Sequence, residues 1–213
     1  MQEQTCCFTG HRELPVWVRK QLAEKLEATI TDLIDRGILF YGAGGARGFD
    51  CLAAQTVLKL KSSYPSIKLI LVLPCLTQTR GWRPEDIDEY ERIKAQADKV
   101  VYTAQQYTPG CMHKRNRHLV DNSSVCVCYL NRESGGTAYT VDYAEKKGLE
   151  IINLAPVQRQ KASRQNRRLV HICVIQVVVL FKKVAFEMPK LFDNHSAAHF
   201  QFSLFRYVPP RSA

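Results

Sequence analysis

The sequence lacks the features that mark several common classes of protein. No apolar run reaches the roughly 20 residues that a helix needs to span a bilayer; the run at residues 169–181 is only 13 residues long and includes His171 and Gln176. There is no CxxC pair, the usual unit of a zinc ribbon or a thioredoxin-type redox site. No internal repeat is evident either. We therefore predict neither a membrane span nor a repeat architecture.

We also expect no secretory leader, because the first five residues are polar and lead directly into a strand-like run. We therefore expect a cytoplasmic protein whose eight cysteines are reduced thiols. Cys126 and Cys128 stand two apart in a strand-like segment, so their side chains should point to the same face. We interpret the cysteines as small buried apolar residues and expect no metal and no cofactor, with a zinc site as the alternative.

The formal net charge of +10 would suggest a nucleic acid or an acidic membrane as partner if it were spread evenly. It is not, because residues 1–156 carry 20 Lys and Arg against 18 Asp and Glu, whereas residues 157–213 carry 10 against 2. We predict one domain at residues 1–156 and a basic, partly apolar C-terminal extension at residues 157–213. For its apolar run, a strand, a short packed helix, a poorly ordered segment and, less favoured, a membrane span remain open.

Strand-like apolar runs alternate with amphipathic helical runs along residues 5–154, a pattern typical of a parallel sheet covered by helices. Strands are predicted at residues 5–9, 38–41, 67–73, 99–102, 124–130 and 150–154, and helices at residues 16–35, 49–60, 84–97, 111–121 and 137–147. The predicted fold class is α/β, a Rossmann-like three-layer sandwich with a mainly parallel sheet.

Three glycine-containing segments follow predicted strands, where ligands collect in open parallel sheets. Their sequences are TGHR at residues 9–12, GAGGARGFD at residues 42–50 and ESGGT at residues 133–137. Glycine lets the backbone approach a ligand closely, and helix N-terminal amides attract anionic oxygens. A phosphate or carboxylate group is the natural ligand, and tight strand-to-helix turns are the alternative interpretation.

The second glycine segment is not the dinucleotide-binding fingerprint. Counting from Gly42 and Gly44, the third glycine should stand at position 47, where the sequence has Arg47, and Gly48 comes one residue late. The acid expected after the next strand is replaced by Pro74 and Cys75. A standard NAD-dependent dehydrogenase is therefore disfavoured.

The helix at residues 111–121 begins with a basic cluster, MHKRNRH at residues 112–118. Such a cluster can neutralise a phosphate through charge-assisted hydrogen bonds, although helical spacing prevents all of its members from reaching one ligand. A solvated basic face is the alternative. His11 is either an acid or base near neutral pH or a loop hydrogen-bonding group. Trp82 either stacks on a base or anchors its loop.

Taken together, TGHR, GAGGARGFD and the block RNRHLVDNSSVCVCYLNRESGGTAYTVDYAEKKG resemble the YpsA-like branch of the SLOG superfamily, which includes the Smf/DprA and Lonely Guy proteins. The resemblance covers residues 5–154. It implies a Rossmann-like fold, a nucleotide or a nucleotide-derived signal as ligand, and a homo-oligomer.

Lonely Guy enzymes are phosphoribohydrolases that carry an MHxRK-type helix and a PGGxGTxxE loop. Residues 112–115 resemble the first motif, with Asn116 in place of its final Lys, and residues 135–137 match only part of the second. The glutamate of that loop is absent, so Asp142, Glu145 or Asp50 would have to supply the carboxylate that cleavage of an N-glycosidic bond requires. Whether the chain is an enzyme therefore stays open at this point.

We predict that the chain binds or senses a nucleotide or a nucleotide-derived phosphorylated small molecule. A nucleotide N-glycosidase is the alternative, with catalytic candidates Arg115, Asp142 and Glu145, and DNA binding ranks third. The predicted ligand-binding residues are Thr9, Gly10, His11, Arg12, Gly42, Gly44, Gly45, Gly48, Asp50, Arg115, Asn116, Asp121, Ser134, Gly135, Gly136 and Thr137.

Overall fold

The computed structural model describes residues 2–156, and the predicted C-terminal extension lies outside the described residues. A single 3-10 turn, Gln2–Gln4, precedes the first strand. The strands are β1 (Thr5–Gly10), β2 (Phe40–Ala43), β3 (Lys68–Leu73), β4 (Lys99–Tyr102), β5 (Val125–Tyr129) and β6 (Glu150–Asn153); the helices are α1 (Val16–Asp35), α2 (Phe49–Leu60), α3 (Pro84–Gln96), α4 (Cys111–Asp121) and α5 (Gly136–Lys146).

The six strands form one sheet in the order β4-β3-β2-β1-β5-β6, and every neighbouring pair is parallel. The chain moves outward from β1 through β2 and β3 to β4, and then crosses back to place β5 on the other side of β1. The strand order therefore reverses between β1 and β5, which is the topological switch point of a doubly wound sheet. The predicted fold class is confirmed.

Two helical layers cover the sheet, and each has its own apolar core. Helices α1, α2 and α3 pack against one another on one face, whereas α4 packs on α5 on the other. Side chains alternate along the strands, as pleating requires: Phe8 belongs to the first core, and Cys7 belongs to the second. Cys126 and Cys128 share the second core, so the predicted common face of these two cysteines is confirmed.

The seven cysteines of the described region are free and buried. Burial raises the pKa of Cys128 to about 12, so this thiol stays protonated and behaves as a small apolar group. Within residues 2–156 there is no cluster of three or more His, Cys, Asp or Glu side chains that could hold a metal ion. In the same region, no helix has both the length and the apolar character needed to cross a membrane.

Most element boundaries lie within one residue of the prediction, but β2 does not. It begins two residues late, at Phe40, and it includes Gly42 and Ala43, which pair with Ile70 and Leu71 of β3. The glycine segment therefore starts as a strand, not as a loop. Glycine suits position 42 because the Leu119 side chain packs over it. A Cβ atom there would lie 2.9 Å from Leu119 Cδ2, which is too close.

Candidate functional site

A cavity of 510 Å³ opens at the carboxyl ends of β1 and β5, at the switch point of the sheet. We call it the switch-point cavity. Its lining consists of Phe8, Thr9, Gly10, His11, Arg12, Glu13, Ala46, Arg47, Asp50, Met112, His113, Arg115, Asn116, Arg132, Ser134, Gly135, Gly136 and Thr137. The three glycine segments and the basic helix thus contribute to one concave surface.

Eleven of the predicted ligand-binding residues line this cavity: Thr9, Gly10, His11, Arg12, Asp50, Arg115, Asn116, Ser134, Gly135, Gly136 and Thr137. Sequence reasoning missed Glu13 and Arg132, which also line it. The signal for Glu13 was its place directly after TGHR, and the signal for Arg132 was its place three residues after the end of β5. Arg132 in particular follows a strand whose carboxyl end forms the cavity.

Other predicted ligand-binding residues do not line the cavity. Gly42 lies in β2, as described above. A Cβ atom on Gly45 would meet Leu73, and one on Gly48 would lie 2.4 Å from the Arg12 carbonyl oxygen, so both glycines allow close packing within the protein.

Asp121 is placed at the far end of α4, where it accepts a hydrogen bond from the Tyr143 hydroxyl at 2.9 Å and pairs with Lys147 at 3.2 Å. The Asp121 side chain thus contributes to the contact between α4 and the end of α5. The structure does not bring it to the cavity.

Two catalytic candidates also lie elsewhere. Asp142 and Glu145 are exposed on α5, and Asp142 pairs with Lys146 at 2.6 Å one helical turn on. Neither lines the switch-point cavity, whose carboxylates are Asp50 and Glu13. The structure therefore gives these two carboxylates no route to a ligand in this cavity.

Asp50 and Arg115 form a buried ion pair at the base of the cavity. Arg115 Nη1 lies 3.3 Å from Asp50 Oδ2, and the two side chains are only 7% and 6% exposed. The Ala46 N–H donates to the same oxygen at 3.4 Å. Gly44 lies beneath the guanidinium, because a Cβ atom there would fall 1.0 Å from Nη1. Glycine at position 44 is therefore required by the ion pair.

This ion pair changes the role expected of Arg115. Burial raises the pKa of the Asp50 carboxyl, against the opposing effect of the guanidinium, and burial lowers the pKa of Arg115. Its charge is balanced by Asp50, so Arg115 adds no net positive charge to the cavity. We therefore assign to Arg115 the positioning of α4 against α2. Attraction of an anion to the cavity would require other groups.

The N-terminus of α5 provides such groups. Ser134, Gly135, Gly136 and Thr137 line the cavity, and Gly135 precedes the helix with φ of 107°. First-turn N–H groups of a helix have no acceptor within the helix, and no side chain of the described region caps α5. These amides can therefore donate to an anion that enters the cavity.

The first turn of α5 is held in place from α4. Asn116 Nδ2 donates to the Thr140 hydroxyl at 2.7 Å, and that hydroxyl donates to the Gly136 carbonyl oxygen at 2.7 Å. Asn116 thus fixes the position of the α5 N-terminus. This contact agrees with a supporting role for Asn116 at the cavity wall.

His11 forms a loop hydrogen bond, one of its two predicted interpretations. The Asn131 N–H donates to His11 Nε2 at 3.3 Å, which leaves Nδ1 to carry the proton. Burial, assisted by the nearby Arg132 charge, lowers the pKa of His11 below its ordinary value. The imidazole is therefore neutral at pH 7.

The basic residues near the cavity differ in whether their charge is free to interact with a ligand there. Arg12 and Arg132 are exposed, and neither forms an ion pair with any described residue. Lys114, Arg117 and His118 face a different surface depression on the outer side of α4. The basic cluster of α4 is thus divided between two surfaces, as helical spacing predicted.

Comparison with known sequences identifies related proteins over the same region. The sequence model of the YspA SLOG family matches residues 6–154. A UPF0398 protein of Bacillus thuringiensis (strain Al Hakam) is 32% identical over 139 residues, which cover 64% of this chain and 73% of the relative. A UPF0398 protein of Bacillus cereus (strain AH820) is 31% identical over the same length and with the same coverage.

Two solved structures share the fold. DNA processing protein A from Helicobacter pylori has a TM-score of 0.54 and 18% identity, over 78% of this chain and 72% of that protein. DNA processing protein A from Streptococcus pneumoniae has a TM-score of 0.55 and 15% identity, over 78% of this chain and 56% of that protein. At these identities the likeness concerns the fold alone.

Proposed function

The chain belongs to the YspA SLOG family, and from this starting point we propose that its switch-point cavity binds a phosphorylated nucleotide or a nucleotide-derived small molecule. The cavity volume of 510 Å³ lies within the range typical of small-molecule sites, about 300–1,000 Å³. Sensing of such a ligand, without turnover, is the role that the site supports best.

The observation that carries the proposal is Gly136. The chain has eleven glycines, all within the described residues. Seven have a positive φ, and three more, Gly10, Gly42 and Gly44, would bring a Cβ atom within 3.0 Å of a neighbour. Gly136 alone has neither constraint, since its φ is not positive and nothing lies within 4 Å of an added Cβ. The fold does not require glycine here, whereas a ligand approaching the α5 amides does.

The charges around this position suit a phosphate. The N-terminus of a helix carries a partial positive charge, and Arg12 and Arg132 add two exposed guanidinium groups at the same cavity. Glu13 is the exposed acid that opposes them. A phosphate held by the α5 amides with a guanidinium nearby is the arrangement that we propose.

Binding is favoured over N-glycosidic cleavage because of where the carboxylates lie. Cleavage passes through a cation-like sugar that needs a carboxylate close to it. Asp142 and Glu145 stand outside the cavity, Asp50 is engaged by Arg115, and the other lining carboxylate, Glu13, is exposed to solvent next to Arg12 in the chain. Release of free base from a nucleoside monophosphate by the wild-type protein would contradict this preference.

Nucleic acid is the second candidate ligand. The Helicobacter pylori structure is described by its single-stranded DNA binding mode, and the phosphate of a strand could occupy the same α5 N-terminus. We rank it second because residues 1–156 carry a net charge of only +2, whereas nucleic-acid binding relies on an excess of basic groups. An oligonucleotide that displaces a nucleoside monophosphate would reverse this ranking.

Gly136→Ala tests the proposal directly. The added methyl group has free space and an allowed backbone, and alanine restricts the unfolded chain, so the melting temperature of the free protein should stay the same or rise. The methyl group should obstruct the approach of phosphate, so the Kd for a nucleoside monophosphate should rise at least about tenfold, a loss of about 1.4 kcal/mol. Calorimetric titration and thermal unfolding give the two values.

Gly148→Ala is the matched control at the other end of α5. It also has free space, but its φ of 79° is unfavourable for alanine, so this variant should unfold at a lower temperature while its ligand affinity stays unchanged. The wild-type protein should gain about 2.7 kcal/mol of stability at a hundredfold excess of ligand over Kd. The proposal fails if no phosphorylated compound stabilises the wild type, or if Gly136→Ala binds as tightly as the wild type.

A further inference from the structure

A second compartment, of 390 Å³, adjoins the switch-point cavity. The two share Arg12, Ala46, Met112 and Arg115 as lining residues, and the remaining wall of the second compartment comes from residues 77–82 and Tyr107. A ligand anchored at the α5 N-terminus can therefore extend past Arg12 into this space. A phosphate group alone would leave it empty.

The wall at residues 77–82 is fixed to the glycine segment. Gln78 Nε2 donates to the carbonyl oxygens of Gly45 at 2.7 Å and Gly44 at 3.3 Å. Trp82 packs edge-on against Tyr90 at 5.7 Å, and the Arg47 guanidinium lies 5.7 Å from the Trp82 ring centroid. The compartment is thus built into the fold.

The chemistry of the second compartment differs from that of the first. It is lined by two aromatic side chains, Trp82 and Tyr107, and Tyr107 is 64% exposed. Arg12 and Arg80 bring exposed guanidinium groups, and no acidic side chain from residues 2–156 lines the compartment. Aromatic rings and guanidinium planes are the groups on which nucleobases stack, and guanidinium N–H groups also donate to base acceptors.

We propose that the second compartment is the nucleobase subsite of the ligand whose phosphate lies at the α5 N-terminus, with Tyr107 as its stacking residue. This assignment rests on the proposed function and adds to it the orientation of the ligand. A nucleoside monophosphate then spans both compartments, with its sugar beside Arg12 and Met112. The competing occupant is a second phosphate group held by Arg12 and Arg80.

The test uses calorimetric titrations with ribose 5-phosphate, ribose 1,5-bisphosphate and the four nucleoside monophosphates. Compared with ribose 5-phosphate, the bisphosphate adds a second phosphate group and each monophosphate adds a base. The wild type should bind at least one monophosphate about 5- to 150-fold more tightly than ribose 5-phosphate, which corresponds to one stacked base. Tyr107→Ala should lose this preference and keep its affinity for ribose 5-phosphate. Tyr107→Phe should restore the preference, because the phenyl ring still stacks.

Trp17→Ala is the control, since Trp17 is an 80% exposed aromatic residue at the start of α1 that lines neither compartment. It should bind every compound as the wild type does.

Equal affinity for ribose 5-phosphate and all the monophosphates would overturn the base subsite while leaving phosphate binding intact. Tighter binding of ribose 1,5-bisphosphate, unaffected by Tyr107→Ala, would assign the space to a second phosphate. If ribose 5-phosphate and the monophosphates all fail to bind, the subsite falls together with the proposed function.

Discussion

Gly44 and Gly136 differ in whether the fold itself requires glycine at that position. Gly44 makes room for the Arg115 guanidinium, so the fold itself needs glycine there. Gly136 has an ordinary backbone conformation and open space around it, so the free protein would tolerate alanine. Gly44 is thus a packing glycine, whereas Gly136 has no packing role and is the glycine at which we propose that a ligand approaches. The spacing of glycines in the sequence does not reveal this difference.

For Arg115, the sequence predicted a place in the cavity but not the ion pair that the residue forms. The sequence indicated a basic residue facing a phosphate, and Arg115 does line the cavity. Its partner, Asp50, is 65 positions away in the chain, so neither local spacing nor helix periodicity could reveal the ion pair. The loop hydrogen bond of His11 was one of two stated interpretations, and its donor, the Asn131 N–H, is 120 positions away.

The His11 hydrogen bond predicts a pH dependence of stability. Burial lowers the pKa of His11 in the folded protein below its value of about 6.5 in the unfolded chain. The unfolded chain therefore binds a proton first as the pH falls, and the free energy of unfolding should decrease from pH 6.5 downward toward the folded pKa. Urea denaturation of the wild type and of His11→Asn at pH 7.5, 6.5 and 5.5 measures this contribution.

The His11→Asn protein should lose less stability than the wild type over this range, because it lacks the titrating group. Parallel curves for the two proteins would show that His11 does not contribute to the pH dependence.

At the scale of elements, the Asp50 and Arg115 pair joins the two helical layers around the end of the sheet. Asp50 lies in the first turn of α2 on one face, and Arg115 lies in α4 on the other. No other ion pair of the described residues links α2 to α4. The floor of the cavity thus depends on a contact between elements from opposite layers.

A double-mutant cycle tests this connection. Arg115→Met leaves the Asp50 carboxylate buried without its partner and should lower the free energy of unfolding by about 3–5 kcal/mol. Adding Asp50→Leu removes the unpaired charge and should recover much of that loss. Urea denaturation of the four proteins gives the coupling energy, and additive effects within about 0.5 kcal/mol would contradict the role of the pair.

The elements themselves were largely predictable from periodicity, and the exceptions have local causes. Helix α1 repeats apolar residues at helical spacing over twenty residues, and its predicted bounds match the structure. Strand β2 was misplaced because Gly42 and Ala43 read as a loop, although both are paired with β3. The sequence alone does not predict that Gly42 lies in a strand. Its position there depends on the pairing with β3 and on the Leu119 side chain that packs over it, and both are tertiary contacts.

At the scale of the whole molecule, the position of the switch-point cavity follows from the strand order. Residues 9–12 and 134–137 are more than 120 positions apart, yet β1 and β5 are neighbours, so both segments open into one cavity. The alternation of strands and helices predicted the fold class and the edge of the sheet at which the cavity opens. It could not predict the second compartment, because Tyr107 and residues 77–82 belong to long connections without periodic signals. The division into a domain at residues 1–156 and an extension at residues 157–213, and the homo-oligomer, remain predictions.

The central claim, that the first turn of α5 receives the phosphate of a nucleotide, is tested most directly by nuclear magnetic resonance. Titrating the full-length protein with a nucleoside monophosphate should shift the backbone amide resonances of Gly136 and Thr137 most strongly, while that of Gly148 at the far end of the helix stays in place. Shifts confined to Lys114, Arg117 and His118 on the outer side of α4, or none at saturating ligand, would contradict it.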